Sequence, residues 1–452
     1  MRTPLTGRIR LPSLMRRGLP IVMATTISRP LGYLRAVVQA WLFGATAAMD
    51  AFVLAFSVPS FLQVILLSGP LSGVLVSTFS AVRSDREALS QLFSSLFTAC
   101  LLASLSIGLL AGIAAPVLMY LVGPGLAPDI RHLAVFLFRL MLPMLVLQAL
   151  LSVCKGALNT LDSYGPPEYA QVAFNIIMIG AALLLTPYLG ITSLALGASL
   201  GALVQVALQF PYLRRHSVYY RPRFDFSAHI KPMLTLLQWA FLSTLVTTFG
   251  AQIDRALAST LFPGAISALY YAFLLLMLPA SLAVIPLSTV LLTDLAVVYQ
   301  NGEVINVRRR VASALRMMLL LTVPVVVVGF LLAEPITRLV YERGHFTVED
   351  TIRTAQALQI FLLGLPLYGV MHMLSRCFYA IHDTKTPALV GCVALVVNIV
   401  ADVILMQFFS HRGIVMGRLA FWLVSACTLY LLFRQRCQQL SSSGTSDPTT
   451  TS

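Results

Sequence analysis

The chain has 452 residues, of which 58% are apolar and only 11% are charged, and its mean hydropathy is +0.86. A soluble domain carries about 25% charged residues, so this composition argues against a soluble enzyme, a disordered chain and a secreted disulfide scaffold. The net charge of +14 comes mainly from arginines between apolar segments, which is typical of loops that orient a membrane protein and not of a nucleic-acid-binding face. We therefore predict an all-α polytopic membrane protein with no nucleic-acid partner.

Apolar segments long enough to cross a bilayer, which takes about 20 residues, recur along the whole chain. We predict about twelve transmembrane helices, at 18–43, 47–82, 88–122, 128–160, 166–188, 191–213, 231–262, 265–298, 304–333, 349–380, 384–408 and 412–435. An even number of spans places both termini on one side of the membrane. The excess of Lys and Arg in the loops on that side predicts that both termini are cytoplasmic.

The two halves of the chain repeat each other. A shift of 220 residues aligns Arg35 with Arg255 and Pro59 with Pro279, and a shift of 223 aligns Asn175 with Asn398, among other matches. Six spans per half predict parallel repeats, and hence two pseudo-symmetric six-helix bundles around a central cleft that opens by alternating access. The predicted divisions are a basic cytoplasmic N-terminus (1–17), a first bundle (18–213), a cytoplasmic connector (214–230), a second bundle (231–435) and a disordered cytoplasmic tail (436–452).

Arginines inside predicted spans are the first candidates for substrate binding, because a charge in the bilayer is costly unless it faces a cavity or a partner. Arg29 and Arg35 are six residues apart on the first helix, with Gly32 between them leaving room for a ligand. Arg255 is the repeat partner of Arg35. Guanidinium groups on both walls of a cleft suit a phosphate group, which they bind through paired hydrogen bonds. The alternative is structural: Arg35 pairs with Asp50, and Arg255 pairs with nearby acidic groups.

Two acidic residues and three helix-bending residues are candidates for the moving parts. Asp50 starts the second span, where an aspartate either binds a cation, titrates during transport, caps a helix or pairs with an arginine, and pairing is the role we expect. Asp254 lies in the seventh span and is a second candidate for gating or ion pairing. Pro59 and Pro279 are predicted to kink the second and eighth spans, and Gly32 completes the predicted hinge positions.

Other polar residues in the spans are interpreted as structural. Asn175 and Asn398 are expected at equivalent places in the fifth and eleventh spans, where asparagine usually bonds one helix to another. Lys155, Arg316 and Arg418 lie near the ends of predicted spans, and we expect interfacial or structural roles for them.

Motifs of catalysis are lacking: the chain has no HExxH or Walker A sequence and no GxSxG or GxGxxG in a strand–helix setting, and its six cysteines form no CxxC pair. We therefore expect neither an enzyme nor a metal or cofactor site. Without an ATPase module, transport would draw on an ion gradient, the membrane potential or the substrate gradient.

Several stretches together resemble the MurJ/MviN family of flippases for lipid-linked cell-wall precursors, a branch of the multidrug/oligosaccharidyl-lipid/polysaccharide exporter superfamily. They are SRPLGYLR with FGATAAMDAFVLAF, then DRALASTLFPGAISALYYA, YERGHFTVEDT and RCFYAIHDTKTP. The resemblance implies a flippase that moves lipid II, an undecaprenyl-diphosphate disaccharide-pentapeptide, outward across the cytoplasmic membrane. It implies that Arg29 and Arg35 face the central cavity and engage the diphosphate, and that Asp50 is the aspartate of a DAF element. It further suggests membrane lipids and the cell-wall synthesis machinery as partners.

The chain also departs from the family pattern. Gln63, Val64 and Ser68 stand where the second span usually carries charge, and Phe273 and Leu274 stand where the eighth span usually carries an arginine. The family commonly has fourteen spans, against twelve predicted here. Two alternatives therefore stay open: an exporter of the same fold for another lipid-linked glycan or a small cation or drug, and a non-transporting membrane scaffold.

Overall fold

The structure is a computed structural model that describes residues 11–63, 70–223, 248–300, 304–380 and 383–443. Within these ranges every regular element is a helix. This agrees with the predicted all-α class, and it follows from the bilayer, where only an element that satisfies its own backbone hydrogen bonds can cross alone.

The described residues before 224 form ten helices. They are α1 (Leu11–Phe43), α2 (Ala47–Gln63), α3 (Pro70–Ser80), α4 (Arg86–Ile113), α5 (Ala115–Val122), α6 (Pro128–Leu140), α7 (Leu142–Thr160), α8 (Gly165–Leu189), α9 (Thr192–Ala207) and α10 (Gln209–Arg215).

Eight further helices lie in the described ranges from 248 to 443. They are α11 (248–258), α12 (Ala265–Pro279), α13 (Ile285–Gln300), α14 (Val304–Leu331), α15 (Ala333–Tyr341), α16 (Val348–Ala380), α17 (Lys385–Phe409) and α18 (His411–Ser443). A single π-helical turn, Ala280–Val284, joins α12 to α13 directly after Pro279. Such a turn interrupts the regular hydrogen-bond ladder at one of the predicted hinges.

Nine helices in the described part of the chain are long and apolar enough to span a membrane. They are Arg86–Ile113, Pro128–Thr160, Gly165–Leu189, Thr192–Arg215, Ala265–Leu292, Arg309–Leu331, Val348–Ala380, Lys385–Phe409 and His411–Arg436. Each coincides with one predicted span. The other three predicted spans correspond to α1, to α2 with α3, and in part to α11, and each includes residues whose side chains or backbone lie outside the description. The outer faces of these helices carry exposed leucines and isoleucines, as lipid contact requires.

Contacts between residues divide the chain into two compact units that are not continuous in sequence. The first unit holds residues Met1–Leu42, Ala55–Leu118 and His132–Gln238, and the second holds Phe43–Leu54, Met119–Arg131 and Trp239–Ser452. The predicted bundle boundaries follow the sequence alone, whereas these units place 43–54 and 119–131 with the second half of the chain.

The core of the first unit forms where α3, α4 and α7 pack through large side chains such as Phe79, Phe93 and Leu150. The start of the predicted connector docks on α4. Ser90 Oγ donates to the carbonyl of Ser217 at 3.2 Å, and Ser94 Oγ accepts from the backbone N–H of Arg221 at 3.0 Å. The connector therefore continues the first unit as far as it is described, to residue 223.

In the second unit, turns from the first half of the sequence are held by backbone contacts. The N–H of Gly125 donates to Ser259 Oγ at 3.0 Å, and Tyr271 Oη donates to the carbonyl of Gly44 at 3.4 Å. A Cβ on Gly44 would overlap the backbone of His345, and a Cβ on Gly125 would overlap that of Ser259. Both close approaches therefore require glycine.

The internal repeat is visible in the helix bounds, and it corrects one sequence alignment. Adding 220 to the bounds of α8 gives those of α17. Their C-caps also match: Gly190 has φ 53° and ψ −136°, and Ser410 has φ 54° and ψ −133°. A shift of 220 therefore holds here, so Asn175 and Asn398, which are 223 apart, differ by three residues in their helices.

The predicted tail also needs correction. Helix α18 continues through residue 443, because no glycine or proline follows Arg434 until Gly444. Residues 436–443 are therefore helical, and the remainder of the predicted tail lies outside the described residues, as does the N-terminal segment 1–10.

Candidate functional site

Arg35 lies in the first unit and is held by a polar contact from α8. Its Nη1 donates to Asn175 Oδ1 at 3.1 Å, and its guanidinium carbon lies 5.8 Å from the centre of the Phe174 ring. Asn175 is itself fixed, because its Nδ2 donates to the carbonyls of Ser28 and Gln171 at 3.3 and 3.1 Å. The predicted helix-to-helix role of Asn175 is therefore observed. The Nε of Arg35 is buried and has no hydrogen-bond acceptor.

Along α1, Arg29 precedes Gly32 by three residues and Arg35 follows it by three. Arg29 is exposed and Arg35 is half-buried. A Cβ on Gly32 would meet no atom within 4 Å, so the space beside it is open as the sequence predicts. This part of α1 thus presents two guanidinium groups next to room for a ligand.

Asp50 lies in the second unit and caps the N-terminus of α12. Its Oδ2 accepts from the N–H of Gly264 at 2.6 Å, and its Oδ1 accepts from the N–H and the hydroxyl of Ser267 at 2.7 and 2.6 Å. The carboxylate is 3% exposed. A negative charge at a helix N-terminus is stabilised by the orphan N–H groups and the helix dipole. Of the roles considered for Asp50, the structure shows the cap, and Arg35 contacts Asn175 instead.

The backbone beside this cap adopts a conformation that requires glycine. Gly264 has φ +93°, and a Cβ on it would overlap the carbonyl oxygen of Ala45. Beside it the ring of Tyr271 lies 5.0 Å from that of Tyr341 and 5.6 Å from that of Phe346. A buried aromatic cluster therefore supports the end of the unit at which the cap lies.

Asp254 is ion-paired, and its partner is Arg418 of α18. Arg418 donates through Nε to Asp254 Oδ2 at 2.8 Å and through Nη2 to the same oxygen. Arg418 is 8% exposed. The predicted ion-pairing role of Asp254 is seen here. Of the two roles considered for Arg418, the structural one is observed, because a partner on α11 holds the guanidinium inside the protein.

Two further polar residues belong to the same cluster. Asp402 and Asn398, one turn apart on α17, are 0% and 1% exposed. Asn398 Nδ2 donates to Asp402 Oδ2 at 2.7 Å. The prediction that Asn398 bonds one helix to another is therefore not what is observed, because its hydrogen bond lies within α17.

Arg255 lines a cavity inside the second unit. The cavity has a volume of about 230 Å³ and is also lined by Asp254 and Arg418. Its other walls are aliphatic and aromatic, and the aromatic side chains are Tyr270, Phe273, Phe361, Tyr368, Phe421 and Trp422. In the described part of the chain neither Arg255 nor Arg35 forms an ion pair, so the structural alternative for these two arginines is not seen.

The predicted proline hinges, two of the residues near span ends and the positions that depart from the family pattern lie as follows. Pro59 lies inside α2, and Pro279 precedes the π-helical turn. Lys155 pairs with Glu168 at 3.0 Å, and Arg316 is exposed. The stretch of Gln63, Val64 and Ser68 lies outside the described side chains, while Phe273 lines the cavity.

Among the described residues, no group of three His, Cys, Asp or Glu side chains is arranged to hold a metal ion. The cluster of Asp254, Asn398, Asp402 and Arg418 is the part of the site that sequence reasoning missed. The sequence does indicate the contact between Asn398 and Asp402, because the two residues are four positions apart and so share a helix face. Nothing in the sequence indicates that Arg418 of α18 is the partner of Asp254, since 164 residues separate them.

Comparison with known proteins shows the family. The family model "Lipid II flippase MurJ" matches residues 39–447. The chain is 29% identical over 410 residues to the probable lipid II flippase MurJ of Rickettsia prowazekii, covering 90% of this chain and 81% of that protein. It is 30% identical over 434 residues to the Haemophilus influenzae protein of the same name, covering 91% and 84%.

Solved structures share the fold of this chain. An inward closed conformation of lipid II flippase MurJ superposes with a TM-score of 0.82 at 26% identity, covering 93% of this chain and 90% of that one. An inward-facing multidrug resistance transporter of the MATE family has a TM-score of 0.79 at 18% identity, covering 94% and 100%, and shares the fold. The match of the family model along most of the sequence decides the assignment: this chain belongs to the MurJ family of lipid II flippases.

Proposed function

We propose that this protein is a flippase that moves lipid II, a polyprenyl-diphosphate-linked peptidoglycan precursor, across the cytoplasmic membrane by alternating access. The observation that carries the proposal is the pair of arginines on α1: Arg29 is exposed and Arg35 is held by Asn175, on either side of Gly32, where a Cβ would meet no atom within 4 Å. A diphosphate offers acceptor oxygens for such donors, and its charge matches the arginines of α1. The protein acts as a transporter and not as a catalyst.

The test is complementation of a strain depleted of its own lipid II flippase. The wild-type chain is expected to rescue growth, and Arg29→Ala and Arg35→Ala are expected to lower translocation about tenfold or more, since a hydrogen bond to a charged group contributes about 1.5–3 kcal/mol. Arg139→Ala is the matched control, because Arg139 is an exposed arginine in a membrane helix of the same unit and donates to the carbonyl of Gly112.

The complementation results distinguish the proposed function from its alternatives. If the wild type rescues and both α1 variants rescue as well as Arg139→Ala, the arginines do not bind the headgroup. If the wild type reaches the membrane but never rescues, lipid II is not its substrate, and the exporter of another glycan or drug and the scaffold become the better hypotheses.

The proposal includes a topology. Both termini lie in the cytoplasm, since the arginine-rich loops, among them the connector with Arg214, Arg215, Arg221 and Arg223, are retained on that side. A reporter that is active only in the cytoplasm, fused after residue 452, is expected to be active. An expressed but inactive fusion would contradict the twelve-span arrangement.

A further inference from the structure

A groove lies on the first unit where the start of the connector runs along α4. Its volume is about 620 Å³. Arg86, Glu87 and Gln91 of α4 line one wall, and Arg221 and Arg223 of the connector line the other. All of these residues belong to the first unit. The groove therefore brings together three guanidinium groups and one carboxylate, which leaves an excess of positive charge.

The two walls are held together by two serines of α4. Ser90 Oγ donates to the carbonyl of Ser217 at 3.2 Å and accepts from the N–H of Tyr219 at 3.4 Å. Ser94 Oγ donates to the carbonyl of Tyr219 at 3.2 Å and accepts from the N–H of Arg221 at 3.0 Å. Because Ser90 and Ser94 are one helical turn apart, they fix the connector backbone along one face of α4.

The connector side chains alternate between the core of the first unit and the groove. Val218 is buried in that core, and the ring of Tyr220 packs against it, 4.8 Å from the ring of Phe97. Successive side chains of an extended chain point to opposite sides, so the burial of Val218 and Tyr220 turns Arg221 and Arg223 toward the groove. The placement of both arginines is thus set by core packing.

The protein does not neutralise the positive charge of this groove. In the described part of the chain, the guanidinium groups of Arg86, Arg221 and Arg223 form no ion pair and no hydrogen bond, and all three residues are exposed. The carboxylate of Glu87 accepts instead from Gln91 Nε2, at 3.4 Å. Cations gathered without a counter-ion repel one another, and a bound anion relieves that repulsion.

The position of the groove indicates which anion reaches it. The membrane-length helix Arg86–Ile113 begins at one of the groove arginines, and the helix Thr192–Arg215 ends just before the connector enters the groove. Tyr219, which also lines the groove, is 53% exposed, and tyrosine is typical of the membrane–water interface. Lipid headgroups lie at this level, and basic pockets at the ends of membrane helices bind anionic headgroups.

We propose that this groove binds the phosphate group of an anionic phospholipid, and that the bound headgroup links the connector to α4. Guanidinium groups on both walls suit phosphate oxygens, which they bind through paired hydrogen bonds. A zwitterionic headgroup fits less well, because its own cation neutralises the phosphate. The proposal does not rest on the proposed function, since lipid II takes no part in it.

Binding is tested by native mass spectrometry of the purified full-length protein, titrated with phosphatidylglycerol or with phosphatidylcholine. The wild type is expected to bind phosphatidylglycerol about tenfold more tightly. Arg86→Gln and Arg221→Gln are each expected to weaken this binding about fivefold, which is the contribution of one arginine beside anionic lipid. Arg214→Gln is the matched control, because Arg214 is an exposed arginine at the end of α10 that does not line the groove.

A variant of opposite sign guards against misfolding as the cause of a loss. Glu87→Gln removes the negative charge of the groove and keeps the size of the side chain, so it is expected to bind phosphatidylglycerol about threefold more tightly than wild type. Folded Arg86→Gln and Arg221→Gln proteins that bind this lipid as tightly as Arg214→Gln would overturn the proposal. Displacement of the lipid by an equimolar amount of inorganic phosphate would also overturn it, because the groove would then hold a soluble phosphate.

The link between the connector and α4 is tested by limited proteolysis in nanodiscs. Trypsin is expected to cut the wild type after Arg223 about fivefold more slowly in phosphatidylglycerol than in phosphatidylcholine, because the bound headgroup lowers the open population of the connector. Arg86→Gln, whose connector sequence is unchanged, is expected to lose this protection. Equal cleavage of the wild type in the two lipids, or equal protection in Arg86→Gln, would contradict the link.

Discussion

The carboxylate of Asp50 and the backbone N–H of Ser267 are hydrogen-bonded at 2.7 Å although 217 residues separate them in sequence. The hydroxyl of Ser267 adds a second bond to the same oxygen. Asp50 thereby closes the start of α12, a helix from the second sequence half, with a residue from the first. Both belong to the second unit, and their contact helps to hold residues 43–54 there.

Removing this cap should destabilise the protein. We expect Asp50→Ala to lower the free energy of unfolding by about 2 kcal/mol, because a buried helix end loses its acceptor for three donors. Denaturant unfolding of the purified protein measures the loss. Asp85→Ala is the matched control, since Asp85 caps α4 on the exposed surface and should contribute about 1 kcal/mol. Equal losses in the two variants would show that burial adds nothing to the Asp50 cap.

The glycine at the same turn is expected to tolerate no side chain. Gly264→Ala combines a positive φ with an overlap at the carbonyl of Ala45, so we expect a loss of stability of more than about 2 kcal/mol. Gly180→Ala should be neutral or stabilising by about 0.5–1 kcal/mol, because Gly180 lies within α8 and has nothing within 4 Å of a new Cβ. Thermal unfolding of both variants decides the matter, and a Gly264→Ala protein as stable as wild type would refute the close approach.

Asn175 should act on transport through Arg35. We expect Asn175→Ala to lower lipid II translocation about tenfold while expression stays normal, since a misplaced guanidinium loses its alignment with the ligand. Asn159→Ala, a change of the same kind at the end of α7, should leave translocation unchanged. The readout is the initial rate in proteoliposomes at equal protein content. Identical rates for the two variants would mean that Arg35 does not need Asn175 for its position.

The start of the connector should loosen when Ser94 is removed. Ser94 Oγ donates to the carbonyl of Tyr219 and accepts from the N–H of Arg221, so Ser94→Ala is expected to cost about 1–2 kcal/mol of local stability. Trypsin should then cut after the connector arginines about tenfold faster than in wild type, because cleavage follows the open population. Ser95→Ala, next to it on α4, is the control. Unchanged cleavage in Ser94→Ala would show that these bonds do not hold the connector.

The positions and the helical nature of most membrane spans follow directly from the order of apolar residues. Nine predicted spans coincide with nine membrane-length helices of the described residues, because about 20 apolar residues in a bilayer can satisfy their backbone only as a helix. The sequence also indicated the family, through local motifs, and a repeat of about 220 residues that α8 and α17 follow to the residue. It placed Arg29, Arg35 and Gly32 on one stretch of α1 with space beside them.

Which charged side chains form pairs depends on how the helices pack in three dimensions. Helical periodicity predicts neighbours three or four residues apart, as for Asn398 and Asp402, but it contains no information about contacts between helices distant in sequence. For that reason the sequence left Arg418 with an interfacial or a structural role, whereas the fold pairs it with Asp254, and it places Asp50 at the start of α12. A buried charge takes whichever partner the packing of helices brings within hydrogen-bonding distance, and in this protein that packing joins residues 164 and 214 positions apart.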